Sequence, residues 1–100
     1  MKQMKDQIAD AVDGLREELL KLSHDIHGNP EPGWREFKAA RWQKDLLEKY
    51  GFLVEMPFCG METAFRATWP ASRHNGVKIA FLSEYDALNG VGHGCGHNII

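Results

Sequence analysis

One hundred residues, 43% of them hydrophobic and 26% charged, carry enough apolar material for one small folded domain and exclude a disordered or low-complexity chain. A formal net charge of -2 offers no basic surface for nucleic acid, and no apolar run approaches the roughly 18–20 residues of a membrane span, so neither partner is expected. The opening MKQMKDQIADAVDG lacks the apolar core of a secretion signal, which predicts a cytoplasmic protein whose Cys59 and Cys95 stay as thiols or serve metal or catalysis.

From Met4 onward, Met4, Ile8, Val12, Leu15, Leu19, Leu22 and Ile26 recur at steps of three and four, the stripe of one amphipathic helix. Gly14 within it costs about 1 kcal/mol relative to alanine. His27-Gly28-Asn29-Pro30 ends the helix, because a residue before proline is pushed out of the helical region, and Pro30 to Gly33 is a turn. A second helix is predicted from about Trp34 to Tyr50, with Ala39, Trp42, Leu46 and Tyr50 on one face and Gly51 at its stop.

After Gly51 the period changes. Phe52 to Met56, Thr63 to Trp69 and Val77 to Leu82 read as three strands, with Pro70 to Gly76 a loop in which His74 is a surface residue. A glycine-rich segment follows, and Asn98-Ile99-Ile100 has the pattern of a further helix start. Helices followed by strands and a glycine-rich loop predict the opening of an α/β domain.

The glycine-rich segment GVGHGCGHN sets His93, Cys95 and His97 at alternate positions with glycine between. In an extended backbone these three would project to one side. Alpha carbons two residues apart lie about 6.6 Å apart, and ligand atoms must converge to about 2.0–2.3 Å from an ion, so the backbone would have to curl inward, as glycine permits. A thiolate beside imidazoles suits zinc, and less firmly manganese, cobalt or nickel. The plain alternative is a glycine-rich turn with incidental histidines. A third possibility is a Cys95 nucleophile activated by His93 or His97, for which an orienting partner is missing. Nucleotide binding is disfavoured: the third glycine of a dinucleotide fingerprint falls on Cys95 or His97, and no lysine follows Lys78 to make a phosphate loop. Upstream, Asp86 in SEYDAL stands at a predicted strand end, where it can orient a metal-bound histidine by hydrogen bonding, reach a metal through water, or simply make a turn; Glu84 reads as solvent-facing.

The runs SEYDALNGVGHGCGHN, HDIHGNPEPGWREFKAARWQKDLLEKYGFLVE and GMETAFRA resemble the metallopeptidase and amidohydrolase family of aminoacylases, hippurate hydrolase and aminobenzoyl-glutamate hydrolase. EYDAL and CGHN are most similar to its aminobenzoyl-glutamate hydrolase and aminoacylase-1-like dipeptidase subgroup. The resemblance covers about Leu22 to Ile100. It implies that residues 1–100 are the N-terminal portion of a catalytic α/β domain with a mixed sheet, without the smaller lid and dimerisation domain. It further implies two divalent metal ions, zinc or manganese, with Cys95 and His97 as ligands, His93 as a neighbour whose ligand role is open, and Asp86 as an orienting carboxylate. The substrate class implied is an N-acyl amino acid or dipeptide-like amide, and a homo-oligomer is expected.

Asn98 stands where aspartate is common in related amidases, and Asn89 where proline is usual after D-A-L. His27, Pro30, Glu31 and Glu36 match the family's H-x-x-P-E-x-x-x-x-E stretch and read as architecture, while His24 has no chemical role. The resemblance places the family's general base, a glutamate of a Glu-Glu pair, beyond Ile100 together with further His and Glu ligands, so these residues are expected to be inactive alone and to associate through unpaired strand edges. The remaining alternative is a small metal-binding or structural interaction module without catalysis.

Overall fold

The computed structural model of the chain describes residues 3–70 and 76–100. Three helices come first: α1 (Met4–Gly14), α2 (Arg16–Gly28) and α3 (Phe37–Lys49). Two short strands, β1 (Leu53–Glu55) and β2 (Arg66–Thr68), pair antiparallel with Val54 opposite Ala67.

The predicted first helix is divided. Leu15 leaves the helical region at φ -99° and ψ 3°, and its N–H bonds back only three residues to the Val12 carbonyl. Gly14, which weakens a helix interior, sits immediately before the break. The stripe survives the break, and its cover grows along the chain: Met4, Ile8 and Val12 on α1 are exposed, Leu15 and Leu22 are half-buried and Ile26 is buried. The second helix starts three residues later than expected. Trp34 lies outside it with φ +72°, a conformation in which a bulky side chain cannot continue into a helix.

That helix, α3, is closed at both ends by identifiable bonds. At its start the Glu31 carboxylate accepts from the backbone N–H groups of Lys38 (3.0 Å) and Ala39 (2.9 Å), supplying from well upstream the cap that Glu36 at the helix boundary does not make. At its end Gly51 takes φ +95°, its N–H bonds to Glu48 O, and Phe52 N–H reaches Leu47 O at 3.0 Å, the paired bonds of a Schellman stop. The predicted glycine stop is thus observed. Ala39 and Ala40 are buried, and Lys49 and Tyr50 both donate to Glu18, tying the end of α3 to α2.

The sheet differs from expectation in number and direction. It is a two-stranded antiparallel ribbon, and Val77 to Leu82 forms no strand among the described residues. Phe81 and Leu82 are 95% and 91% exposed, so the β-branched and aromatic character of this segment finds no sheet neighbour to pack on. Among the described residues, parallel pairing appears just beyond it as a bridge between Pro32 and Ala87, in which Ala87 N–H donates to Glu31 O at 2.7 Å. The predicted loop at Pro70 to Gly76, with His74, lies largely outside the described residues.

A small polar core fixes the segment leading to the loop. Thr63 is buried and its hydroxyl donates to the Glu36 carboxylate at 3.1 Å, while the Tyr85 hydroxyl donates to the Thr63 carbonyl and its ring lies 6.0 Å from Phe65. Burial first, and the nearby negative Glu36 second, push the Tyr85 phenol up to about 12.

Two outcomes are expected. Glu31→Ala removes the acceptor of two helix N–H groups and should lower stability by about 0.5–2 kcal/mol in urea titrations. In a Tyr50→Phe background the phenolate absorbance of Tyr85 should rise near pH 12 rather than 10, and because the raised pKa favours the neutral phenol, this group's stabilisation should be lost as pH climbs above 10.

Candidate metal centre in the glycine loop

Residues 86–98 are positioned from two sides. The Glu31–Ala87 bond holds the chain next to Asp86 against the loop that precedes α3. Leu88 and Gly92 then exchange both backbone bonds, Leu88 N–H to Gly92 O at 2.9 Å and Gly92 N–H to Leu88 O at 3.0 Å, closing a tight turn. A second turn follows, with Gly96 N–H to His93 O at 3.3 Å and Ile99 N–H to Gly96 O at 3.0 Å.

The extended, alternating backbone expected for His93, Cys95 and His97 is therefore corrected to consecutive turns. Gly92 at φ +88° and Gly96 at φ +76° occupy the left-handed region, which glycine enters without steric cost and which breaks a two-residue period. The glycines serve curvature, as the sequence suggested, but the three side chains are dealt to different surroundings. The helix expected at Asn98-Ile99-Ile100 is not formed; residues 97–99 are a turn.

His97 lies beside Asp86. Its Nδ1 is 2.8 Å from Asp86 Oδ1 and 3.2 Å from the Asp86 carbonyl, and its Nε2 is 3.4 Å from Glu84 Oε2. The hydrogen bond to Asp86, ahead of the charges of Asp86 and Glu84, raises the His97 pKa above the ordinary imidazole value. With a proton held on Nδ1 by the carboxylate, the Nε2 lone pair is the one left for a ligand, the arrangement that carboxylates impose on metal-bound histidines. Glu84, read from sequence as solvent-facing, is exposed and yet reaches this nitrogen.

Cys95 is an exposed free thiol. His93 is turned elsewhere: its ring lies 6.2 Å from that of His27 at the end of α2, within 29° of parallel, and both ring nitrogens are buried without a hydrogen-bond partner. Among the described residues no three His, Cys, Asp or Glu side chains converge on one point. A thiol and an imidazole, donor types that a borderline-soft divalent ion accepts, stand two residues apart in the turn.

Two contributors were not read from sequence as site residues, Ser23 without any motif and His27 as architecture in the H-x-x-P-E stretch. Ser23 on α2 accepts a hydrogen bond from Asn98 Nδ2 at 3.1 Å, and His27 supplies the ring against His93. Glu31 was visible in the H-x-x-P-E motif as architecture, and it acts so, through its side chain at α3 and its carbonyl at Ala87. Among the described residues no helix is long and apolar enough to cross a membrane.

No protein-family model matches the chain. Known proteins do match it along nearly its whole length. It is 35% identical to the Xaa-Arg dipeptidase of Homo sapiens, over 97% of this chain and 24% of that protein. The Xaa-Arg dipeptidase of Mus musculus is 36% identical over the same shares. Identity to a p-aminobenzoyl-glutamate hydrolase chain of Escherichia coli (strain K12) is 31%, over 93% of this chain and 22% of that protein. The chain spans about a quarter of the length of these curated relatives. By sequence it belongs with the family of the Xaa-Arg dipeptidases and p-aminobenzoyl-glutamate hydrolase, the same family that its motifs resemble.

Proposed function

We propose that the chain is the N-terminal portion of the catalytic domain of a metal-dependent amidohydrolase that cleaves the amide bond of an N-acyl amino acid or dipeptide-like substrate. The observation that carries this reading is the Asp86–His97 hydrogen bond at 2.8 Å, which turns Nδ1 to the carboxylate and leaves Nε2 as the nitrogen that would take an ion, two residues along the chain from the exposed Cys95. The relatives support the reaction class, since the names of two of them specify a dipeptidase and a hydrolase of p-aminobenzoyl-glutamate.

Cys95 and His97 would hold divalent ions, zinc or manganese. Such ions, when bound, supply Lewis acidity and a water of lowered pKa for attack on an amide carbonyl. The remaining work falls to side chains. Asp86 keeps the proton on His97 Nδ1 and fixes the ring's direction. Glu84 places a negative charge 3.4 Å from Nε2, favouring a cation there. Two protein ligands are fewer than the three of a typical catalytic zinc site, so the other ligands and the general base are proposed to lie outside these 100 residues, which would be inactive alone. Exposed apolar side chains on α1 and at Phe81 and Leu82 support a homo-oligomer or burial by further chain. A cytoplasmic setting would keep the Cys95 thiol reduced and available to metal.

In the complete protein, chelation followed by assay on a panel of N-acyl amino acids and dipeptides should abolish hydrolysis, and adding zinc or manganese should restore it. Cys95→Ser should remove activity, and Asp86→Asn should weaken metal affinity about 10- to 100-fold. Undiminished hydrolysis after chelation, or in Cys95→Ser, would rule the reading out.

A further inference from the structure

Ser23 and His27 are four residues apart on α2, so they share one face of that helix. Each touches one flank of the glycine loop: Ser23 Oγ accepts from Asn98 Nδ2 at 3.1 Å, and the His27 ring lies 6.2 Å from the His93 ring. Between these two anchors stand Gly94, Cys95, Gly96 and His97. A segment with two glycines among four residues has little stiffness of its own, so its curvature is set where it is held.

The two faces of the loop differ. His93 turns both nitrogens into a covered space against α2, whereas Cys95 is exposed. No three potential ligands gather among the described residues, so His93 is not brought to the sulfur of Cys95 and the imidazole of His97. Its ring is used as a flat surface.

On the metal-centre reading above, on which this step rests, we infer that Ser23, His27, His93 and Asn98 are positioning residues: they clamp the glycine loop to one face of α2 and so fix the span between Cys95 and His97, and His93 is not a metal ligand. Asn98, standing where aspartate is common in related amidases, serves this clamp because its amide brings the proton that the Ser23 oxygen accepts.

Cobalt(II) titration of the metal-stripped complete protein tests the clamp through the sulfur-to-cobalt charge-transfer band, which reports ligation by Cys95 and affinity together. Ser23→Ala and His93→Ala should weaken cobalt binding about 10- to 100-fold with the band unmoved. His93→Phe keeps a flat ring against His27 without nitrogens and should bind cobalt like the unsubstituted protein. Loss of cobalt in His93→Phe as complete as in Cys95→Ser would make His93 a ligand and overturn the inference. Unchanged affinity in both Ser23→Ala and His93→Ala would overturn it too, by showing that the loop holds its shape without α2. A charge-transfer band that persists in Cys95→Ser would instead refute the metal-centre reading, so the two failures are distinguishable.

Discussion

The arrangement hangs on Glu31. Its carboxylate satisfies two of the N–H groups that the first turn of α3 leaves without partners, and its carbonyl, on the same residue, accepts the N–H of Ala87. One residue therefore links the start of a helix to the distant segment that carries Asp86. A carboxylate at a helix N-terminus is favoured both by hydrogen bonding and by the helix dipole, and it is partly shielded from water here, which makes this a firmer joint than the exposed ion pairs such as Lys21–Asp25. With Ala87 fixed, the neighbouring Asp86 can meet His97 eleven residues later.

The glycine loop illustrates how a spacing can be chemically meaningful while its implied geometry is not. Alternate glycines suggest alternate faces only if the backbone is extended, and an extended backbone needs a strand partner. The nearest backbone pairings of this segment are internal, Leu88 with Gly92 and His93 with Gly96, so the chain turns twice in place of running straight. Each turn uses a glycine at positive φ, and the side chains between them are rotated out of register. His97 reaches back to Asp86, His93 packs on α2 and Cys95 faces solvent. The division of labour among three similar residues is thus made by the turns.

Local signals were legible where one residue decides the outcome. Gly51 as a helix stop, the proline-rich turn after His27, and the short strands at Leu53–Glu55 and Arg66–Thr68 follow from conformational preferences of the residues themselves. A hydrogen bond between Asp86 and a histidine of the loop was among the uses expected of this carboxylate, and Asp86 does meet His97. Illegible were the features set by packing over distance. The role of Ser23 needs the position of Asn98, 75 residues away. Val77 to Leu82 has the composition of a strand, yet composition states a preference for a pleated, half-buried surface and cannot provide one.

That last mismatch bears on stability as well as on fold. The buried apolar set among the described residues is Ile26, Ala39, Ala40 and Ala87, three of them alanines, which return little transfer free energy on burial. The large side chains that would build a core, among them Met4, Ile8, Phe81 and Leu82, are in water. The radius of gyration, 15.2 Å, exceeds the roughly 13 Å of a compact domain of this length. What holds the described residues together is accordingly a set of directed bonds: Glu31 to α3 and Ala87, Glu18 to Lys49 and Tyr50, Thr63 to Glu36, Tyr85 to Thr63, and Asn98 to Ser23. Such bonds specify geometry well and contribute only about 0.5–1.5 kcal/mol each, so the loop that carries Cys95 and His97 is firmly directed on a scaffold whose apolar faces still need cover.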